Sequence, residues 1–99
     1  MLDLEAVAGF EWDDGNSRKS TEKHGVSQAE AEQVFFNKPM LMSEDAKHSE
    51  KEPRINALGQ TDAGRLLHVT FAARHGGTVI RVISARAMSR RERGIYAKA

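Results

Sequence analysis

The chain contains no cysteine, and this absence excludes a disulfide scaffold, thiolate catalysis and thiolate metal sites. It also lacks any apolar stretch close to the roughly 20 residues that cross a membrane. Its N-terminus has no basic region followed by an apolar core. Neither a repeat nor a low-complexity tract divides its 99 residues. We therefore expect a single cytoplasmic domain over residues 1–99, with no membrane contact.

Motifs for several kinds of active site are missing as well. The sequence has no Gly-x-Ser-x-Gly, no Gly-x-x-x-x-Gly-Lys and no glycine-rich dinucleotide loop, which argues against acyl transfer, hydride transfer and nucleotide cofactors. The four histidines, His24, His48, His68 and His75, include no pair three or four residues apart. This spacing gives no support to a metal site, so we expect neither a metal nor a cofactor.

Acidic side chains are scarce in the C-terminal half, although the net charge of the whole chain is only +1. From Pro53 onward the only acids are Asp62 and Glu92. The basic side chains in that part are Arg54, Arg65, Arg74, Arg81, Arg86, Arg90, Arg91, Arg93 and Lys98. This segregation indicates either an anionic partner for the C-terminal half or two halves that face each other in the fold.

Capping patterns predict two helices before the sheet. Asp13-Asp14 resembles an N-cap, and Gly25 is suited to end the first helix in a left-handed conformation. Ser27-Gln28-Ala29-Glu30 is a capping box that opens a second helix. Asn37-Lys38-Pro39 should stop it near Phe36, because the residue before a proline is pushed out of the helical region. Phe10-Glu11-Trp12 is either a short strand or an extended lead-in.

The remainder predicts four antiparallel strands and a last helix. The strands are expected at residues 40–42, 54–60, 65–74 and 79–84, with a charged loop at 46–52 and a tight turn at His75-Gly76-Gly77. Ser89-Arg90-Arg91-Glu92 is a second capping box, and its helix should run through Tyr96. The predicted fold class is α+β: two N-terminal helices, a four-stranded antiparallel sheet and a C-terminal helix.

The third predicted strand has one apolar face and one mixed face. Leu67, Val69 and Phe71 share a parity, and His68 and Thr70 belong to the alternate set. Short antiparallel sheets commonly bury one face and leave the other partly solvated. The mixed face can serve as a platform for an RNA backbone, and it is equally typical of an ordinary wet surface.

An arginine interrupts the most apolar segment, which we expect to be the central strand. Arg81 lies between Ile80 and Val82, and a guanidinium is costly to bury without an anionic partner. Arg81 and Arg86 therefore either pair internally, with acids such as Asp45 and Glu92, or bind an anionic ligand. The residue pattern alone leaves both possibilities open.

The remaining polar set suits one kind of chemistry without requiring it. Arginine, lysine, histidine, carboxylates and a tyrosine fit RNA cleavage by the ribose 2′-hydroxyl, which needs a base, cations for the phosphorane charge and an acid. A non-catalytic basic module that binds nucleic acid or an acidic protein fits the same composition.

Several motifs, occurring in the same order from Phe10 to Tyr96, resemble those of the BrnT toxin family. They are Phe10-Glu11-Trp12-Asp13-Asp14, Glu22-Lys23-His24-Gly25-Val26-Ser27, Ala31-Glu32-Gln33-Val34-Phe35, Glu52-Pro53-Arg54, Gly59, Ile80-Arg81-Val82-Ile83-Ser84-Ala85-Arg86 and Ser89-Arg90-Arg91-Glu92-Arg93. Residues 1–9 have no counterpart and are interpreted as an N-terminal extension. Ala87-Met88 departs from the pattern, since a basic residue is expected after Arg86.

The resemblance implies a RelE-like ribonuclease fold and the toxin half of a type II toxin–antitoxin pair. It implies metal-independent cleavage of RNA that arrests translation and growth, with neutralisation by a BrnA-type antitoxin. DNA would be contacted only indirectly, through the antitoxin, within an oligomeric toxin–antitoxin complex. It does not indicate which residues bind the antitoxin.

The same resemblance suggests site residues. Arg81 and Arg86 are expected to bind the scissile phosphate and stabilise its transition state, and His24 is the candidate for proton transfer. Candidates for holding RNA or its neighbouring phosphates are Lys23, Arg54, Arg65 and Tyr96, of which Tyr96 would stack on a base or donate a hydrogen bond.

Overall fold

The computed structural model describes residues 3–45, 47 and 52–99. Residues 46 and 48–51 of the predicted charged loop, including His48, lie outside the described residues, as do residues 1–2. None of the helices in this part of the chain is long and apolar enough to cross a membrane. The helices are α1 (Asp14–Arg18), α2 (Gln28–Gln33) and α3 (Arg90–Tyr96). The strands are β1 (Gly9–Glu11), β2 (Leu41–Glu44), β3 (Ile55–Gln60), β4 (Leu66–Arg74) and β5 (Val79–Ala87).

The sheet corrects the prediction of four antiparallel strands. It has five strands in the order β1-β5-β4-β3-β2, and β1 runs parallel to β5, with Phe10 opposite Ile80. The ring of Phe10 packs against those of Phe35 and Phe36, which holds this short strand at the sheet edge. Pairing with β1 makes β5 an interior strand, and the middle strand of the five is β4, where the prediction had β5.

Both predicted N-terminal helices form, with different ends. The side chain of Asp13 caps α1 by accepting a hydrogen bond from the amide of Asn16 at 2.6 Å. After Arg18 the chain continues as a π-helical turn, Lys19–Lys23. The buried hydroxyl of Ser20 in that turn accepts a hydrogen bond from the amide of Ala85, which ties the turn to β5.

The capping box of Ser27 and Glu30 opens α2, as predicted. This helix then tightens into a 3₁₀ turn, Val34–Phe36, where the prediction had a longer α-helix. The core lies between this helical layer and one sheet face. Its completely buried members include Val26, Val34, Leu67, Val69 and Phe71.

The opposite sheet face carries both arginines of the interrupted strand. Arg81 and Arg86 are five residues apart, so a regular strand would place them on opposite faces. A β-bulge shifts the β4–β5 register, so that Arg81 pairs with Ala72 and Arg86 with His68. Ala72 and His68 share a parity on β4, and the two arginines therefore share a face. We refer to it below as the open face.

The helix α3 packs over one end of the open face and begins at the predicted capping box of Ser89 and Glu92. The hydroxyl of Tyr96 donates a hydrogen bond of 2.7 Å to the carbonyl of Pro39, which anchors the end of α3 to the segment before β2. The helix α3 therefore covers one end of the open face, and Thr70 and Ala72 are buried farther along it.

Candidate active site

Arg86, Glu92 and His68 form a cluster where α3 meets the open face. Register places His68 and Arg86 directly opposite each other on β4 and β5. Arg86 donates from Nη1 to Oε1 of Glu92 at 2.8 Å and from Nη2 to Oε2 at 2.9 Å. The Nε2 atom of His68 lies 3.9 Å from Oε2 of the same carboxylate. Arg86 thus lies inside β5, beyond the end predicted at residue 84, because it pairs with His68.

The protonation equilibria of this cluster depend on its mutual contacts. Hydrogen bonds from Arg86 lower the pKa of Glu92 from 4.5 to about 2, and the amide of Ser89 adds to this effect. The Glu92 carboxylate in turn raises the pKa of Arg86. Burial lowers the pKa of His68, and the charge of Arg86 lowers it further against the opposing effect of Glu92. At neutral pH the cluster therefore holds a cation, an anion and a neutral imidazole.

A cleft of about 490 Å³ opens beside this cluster, between β2, β3, β4 and α3. His68 and Glu92 line it, and Arg91 and Ile95 contribute from α3. The strands contribute Leu41, Met42, Ser43, Asn56 and Leu58. The volume is within the roughly 300–1,000 Å³ typical of small-ligand sites. Like those sites, the cleft combines apolar walls with a few polar groups.

Arg81 lies at the other end of the open face. Its Cα is about 13 Å from that of Arg86, since their partners on β4 are four residues apart at roughly 3.3 Å each. Its Nη2 lies 3.4 Å from Oδ2 of Asp13, the residue that caps α1. The amide of Asn16 and then the side chain of Arg81 lower the pKa of Asp13. Arg81 therefore has an exposed carboxylate partner, Asp13, which is neither of the two acids, Asp45 and Glu92, that were considered from the sequence.

The N-terminal candidates lie away from both arginines. Lys23 ends the π-helical turn and is exposed, and His24 follows it half-buried. Neither side chain makes a hydrogen bond or ion pair with Arg81 or Arg86 among the described residues. Arg65 donates to the carbonyl of Gly25 at 2.8 Å and to Glu30 at 3.0 Å, which joins the start of β4 to the capping box of α2.

The last two candidates have structural contacts of their own. Arg54 is half-buried just before β3, and its carbonyl accepts a hydrogen bond from the amide of Asp45. Tyr96 is only 8% exposed, and burial raises the pKa of its phenol. The structure therefore brings together Arg86, His68 and Glu92, and it places Arg65 and Tyr96 in separate contacts.

The segregated charges face each other in part. Within the part of the chain that the structure describes, arginines of the C-terminal half pair with acids of the N-terminal half: Arg65 with Glu30, Arg74 with Glu52 and Arg81 with Asp13. By contrast, Arg90, Arg91 and Arg93 on α3 are exposed. No group of three or more His, Asp or Glu side chains is arranged to hold a metal ion in the part of the chain that the structure describes.

His68 and Glu92 were not among the site residues predicted from the sequence. The alternation along β4 does place His68 on the mixed face, and Glu92 was assigned to a capping box and named as an acid that could pair internally. Only the bulged β4–β5 register and the start of α3 bring the two side chains together beside Arg86.

The family of this chain follows from a sequence comparison. A family model described as "Ribonuclease toxin, BrnT, of type II toxin-antitoxin system" matches residues 12–92. The chain belongs to the BrnT family. A comparison with curated proteins gives no match. The structure is similar to a crystal structure of the Brucella abortus ribonuclease toxin BrnT, with a TM-score of 0.62 and 21% identity. The similarity covers 85% of this chain and 100% of the Brucella chain.

BrnT membership defines the protein as a ribonuclease toxin of a type II toxin–antitoxin system and implies an antitoxin as its partner. The fold agrees with this assignment, since the α+β arrangement of the Brucella BrnT is reproduced here. The family match ends at residue 92 and so includes Arg81, Arg86, His68 and Glu92.

Proposed function

We propose that this BrnT family member is a metal-independent endoribonuclease of RelE-like fold that cleaves RNA, stops translation and growth, and is neutralised by a BrnA-type antitoxin. The observation that carries the proposal is the family match over residues 12–92. The open face supports it, because two arginines on one strand face and a cleft beside one of them provide phosphate-binding groups next to a ligand-sized space.

Arg86 and Arg81 are the proposed phosphate-binding residues. Arginine is always charged and presents a planar set of donors that matches phosphate oxygens. The separation of about 13 Å lets the two side chains contact different phosphates of one RNA strand that runs along β5. Lys23, Arg54, Arg65 and Tyr96 remain candidates for further RNA contacts.

The pairing of Arg86 with Glu92 favours transition-state binding over substrate binding. A phosphodiester carries one negative charge and must compete with the carboxylate for the guanidinium. The phosphorane that forms on attack by the 2′-hydroxyl carries more charge and competes better. An interaction that strengthens as the charge develops lowers the barrier instead of only lowering KM.

RNA cleavage through the 2′-hydroxyl needs no metal in this scheme. The ribose supplies the nucleophile, the arginines stabilise the developing charge, and one side chain accepts the hydroxyl proton. His24 is the candidate that the family resemblance suggests for that proton transfer.

The antitoxin proposal is tested in cells. Induced expression of the toxin alone should stop growth, and co-expression of a small neighbouring reading frame that encodes a DNA-binding protein should restore it. Arrest that no neighbouring gene relieves would contradict neutralisation by a BrnA-type partner. Purification of the co-expressed pair would give the stoichiometry of the complex and its binding to the shared promoter.

A non-catalytic RNA-binding module is the second candidate, favoured by the exposed arginines of α3. Such a module would bind RNA with an affinity that falls steeply with salt, since phosphate contacts release counterions. It would leave the RNA intact, so a gel of the bound RNA separates the two candidates.

A further inference from the structure

His68 occupies a position that no other described histidine shares. Its side chain lines the cleft and is 13% exposed, and its Nδ1 atom is buried without a hydrogen-bond partner among the described residues. His75 lies at the far end of β4 with a side chain that is 68% exposed. Buried polar atoms are nearly always paired, and exceptions deserve an explanation.

Charged groups surround His68 from three directions. Arg86 lies opposite it on β5, and cross-strand partners have Cβ atoms about 5 Å apart. Glu92 approaches from α3, and Asp45, after β2, acts more weakly. Burial and Arg86 lower the pKa of His68, while Glu92 and Asp45 oppose them. The imidazole is therefore neutral at pH 7 and has a lone pair for a proton.

The cleft has the chemistry of a nucleotide site. Leu58 and Ile95 provide apolar surface on which a base can lie, and Arg91 places a cation among the lining residues. The Oδ1 atom of Asn56 accepts a hydrogen bond from the hydroxyl of Thr70 at 2.8 Å, so its amide group is held in one orientation. Asn56 and Ser43 are then available to contact polar edges of a base or ribose.

Resting on the proposed ribonuclease function, we propose that this cleft binds a nucleotide of the RNA and that His68 accepts the proton of its 2′-hydroxyl. The O2′–P bond forms as the P–O5′ bond breaks, and the proton of O2′ moves to Nε2 of the imidazole, because Nδ1 is buried. The departing 5′ oxygen takes a proton from water. The products are a 2′,3′-cyclic phosphate end and a 5′-hydroxyl end, with no change of oxidation state.

The neighbours of His68 match the needs of this step. Arg86 is close enough to stabilise the phosphorane that forms next to His68. Glu92 stabilises the imidazolium of His68 after it gains the proton. His24 has no comparable arrangement, because its side chain makes no ion pair with a carboxylate or arginine among the described residues. The geometry therefore favours His68 over the residue that the family resemblance suggests.

The test compares three purified variants, His68→Gln, His24→Gln and the control His75→Gln, on an RNA whose cleavage site has been mapped with the wild type. Rates at saturating RNA, RNA affinity, the chemistry of the new ends and urea unfolding are measured for each. We expect His68→Gln to lose roughly 10²–10⁴-fold in rate with little change in affinity. His75→Gln should cleave like the wild type.

The pH profile gives a readout that a purely structural histidine would not move. The wild-type rate should fall on the acidic side with a midpoint below 6.5, the usual pKa of histidine. Glu92→Gln should shift that midpoint to lower pH, because it removes a charge that raises the pKa of His68. The comparison of the wild-type and Glu92→Gln pH profiles tests the inference even if His68→Gln does not fold.

Three results would overturn the inference: a folded His68→Gln that cleaves within threefold of wild type, a large loss in His24→Gln instead, or an acidic midpoint that Glu92→Gln leaves in place. In each case RNA is still cut, so the proposed ribonuclease function stands. A wild-type protein that binds RNA and never cuts it overturns that function, and the role of His68 with it.

Discussion

Arg86 and Glu92 are joined by two parallel hydrogen bonds, at 2.8 and 2.9 Å, across the junction of β5 and α3. The same carboxylate accepts a hydrogen bond of 2.8 Å from the amide of Ser89 and so completes the cap of α3. One side chain thus fixes the start of the last helix and holds the main phosphate-binding candidate. Stability and RNA binding should therefore respond together to changes at Glu92.

The pH dependence of stability should reveal this pair. The pKa of Glu92 is lowered in the folded state, from 4.5 to about 2. Its contribution is therefore complete above pH 4.5 and is lost as the pH falls towards 2. Since Arg86 is partly exposed, we expect Glu92→Gln to cost on the order of 2 kcal/mol at pH 7. Urea unfolding should show the difference from wild type narrowing below pH 4.5.

Glutamine can still serve in a capping box, so this substitution mainly removes the charge. The exposed Glu22 provides a control, and Glu22→Gln should have the same free energy of unfolding as the wild type at pH 7 and below pH 4.5. A Glu92→Gln variant that is equally stable at pH 7 would show that the ion pair adds nothing to the fold.

Asp13 should restrain RNA binding by Arg81. Asp13→Asn keeps a good N-cap for α1 while it removes the negative charge 3.4 Å from the guanidinium. We expect RNA to bind several-fold more tightly at low salt, because Arg81 no longer has a competing carboxylate. Fluorescence anisotropy with labelled RNA over a salt series measures the change.

Asp14→Asn is the matched control, since it alters the net charge equally one residue away on an exposed position. If both variants raise the affinity by the same factor, the gain comes from net charge and Arg81 has no particular role. Equal affinities for Asp13→Asn and wild type would count against Arg81 as a phosphate-binding residue.

Close packing at Gly59 should make that position intolerant of a methyl group. A Cβ atom there would lie 2.6 Å from Cγ1 of Val34, which is completely buried. We expect Gly59→Ala to lower the free energy of unfolding by about 1–3 kcal/mol. Gly94→Ala in α3 meets no atom within 4 Å and should add about 0.5–1 kcal/mol. Thermal melts that show equal stability for the two variants would argue against this contact between the 3₁₀ turn Val34–Phe36 and β3.

The Tyr96 hydroxyl should contribute to anchoring α3. Tyr96→Phe removes its 2.7 Å hydrogen bond to the Pro39 carbonyl while keeping the ring. We expect a loss of about 1 kcal/mol in urea unfolding. An unchanged free energy of unfolding would mean that the hydroxyl does not hold the helix.

Features that depend on a few neighbouring residues were predictable from the sequence. The capping boxes at Ser27 and Ser89 need only the glutamate three residues later, and both are confirmed. Alternation along β4 correctly places Leu67, Val69 and Phe71 in the core. The family was identified from ordered motifs, and the comparison confirms it.

Features that join distant segments were not predictable in the same way. The parallel pairing of β1 with β5 depends on rings contributed by Phe10, Phe35 and Phe36, so a three-residue strand is not evident from its own pattern. The bulge that places Arg81 and Arg86 on one face has no local signal in an apolar run. Arg86 was foreseen as a possible partner of Glu92, but Asp13 was not foreseen for Arg81.

Cleavage of a defined RNA by the purified toxin in the presence of EDTA tests the central claim most directly. The wild type should cut and leave 2′,3′-cyclic phosphate ends, because the ribose hydroxyl and Arg86 do the work of a metal. A folded Arg86→Ala should cut at least 100-fold more slowly, and a 2′-deoxy substitution at the mapped site should block cleavage there. Cleavage that EDTA abolishes, or that Arg86→Ala leaves intact, would contradict the account.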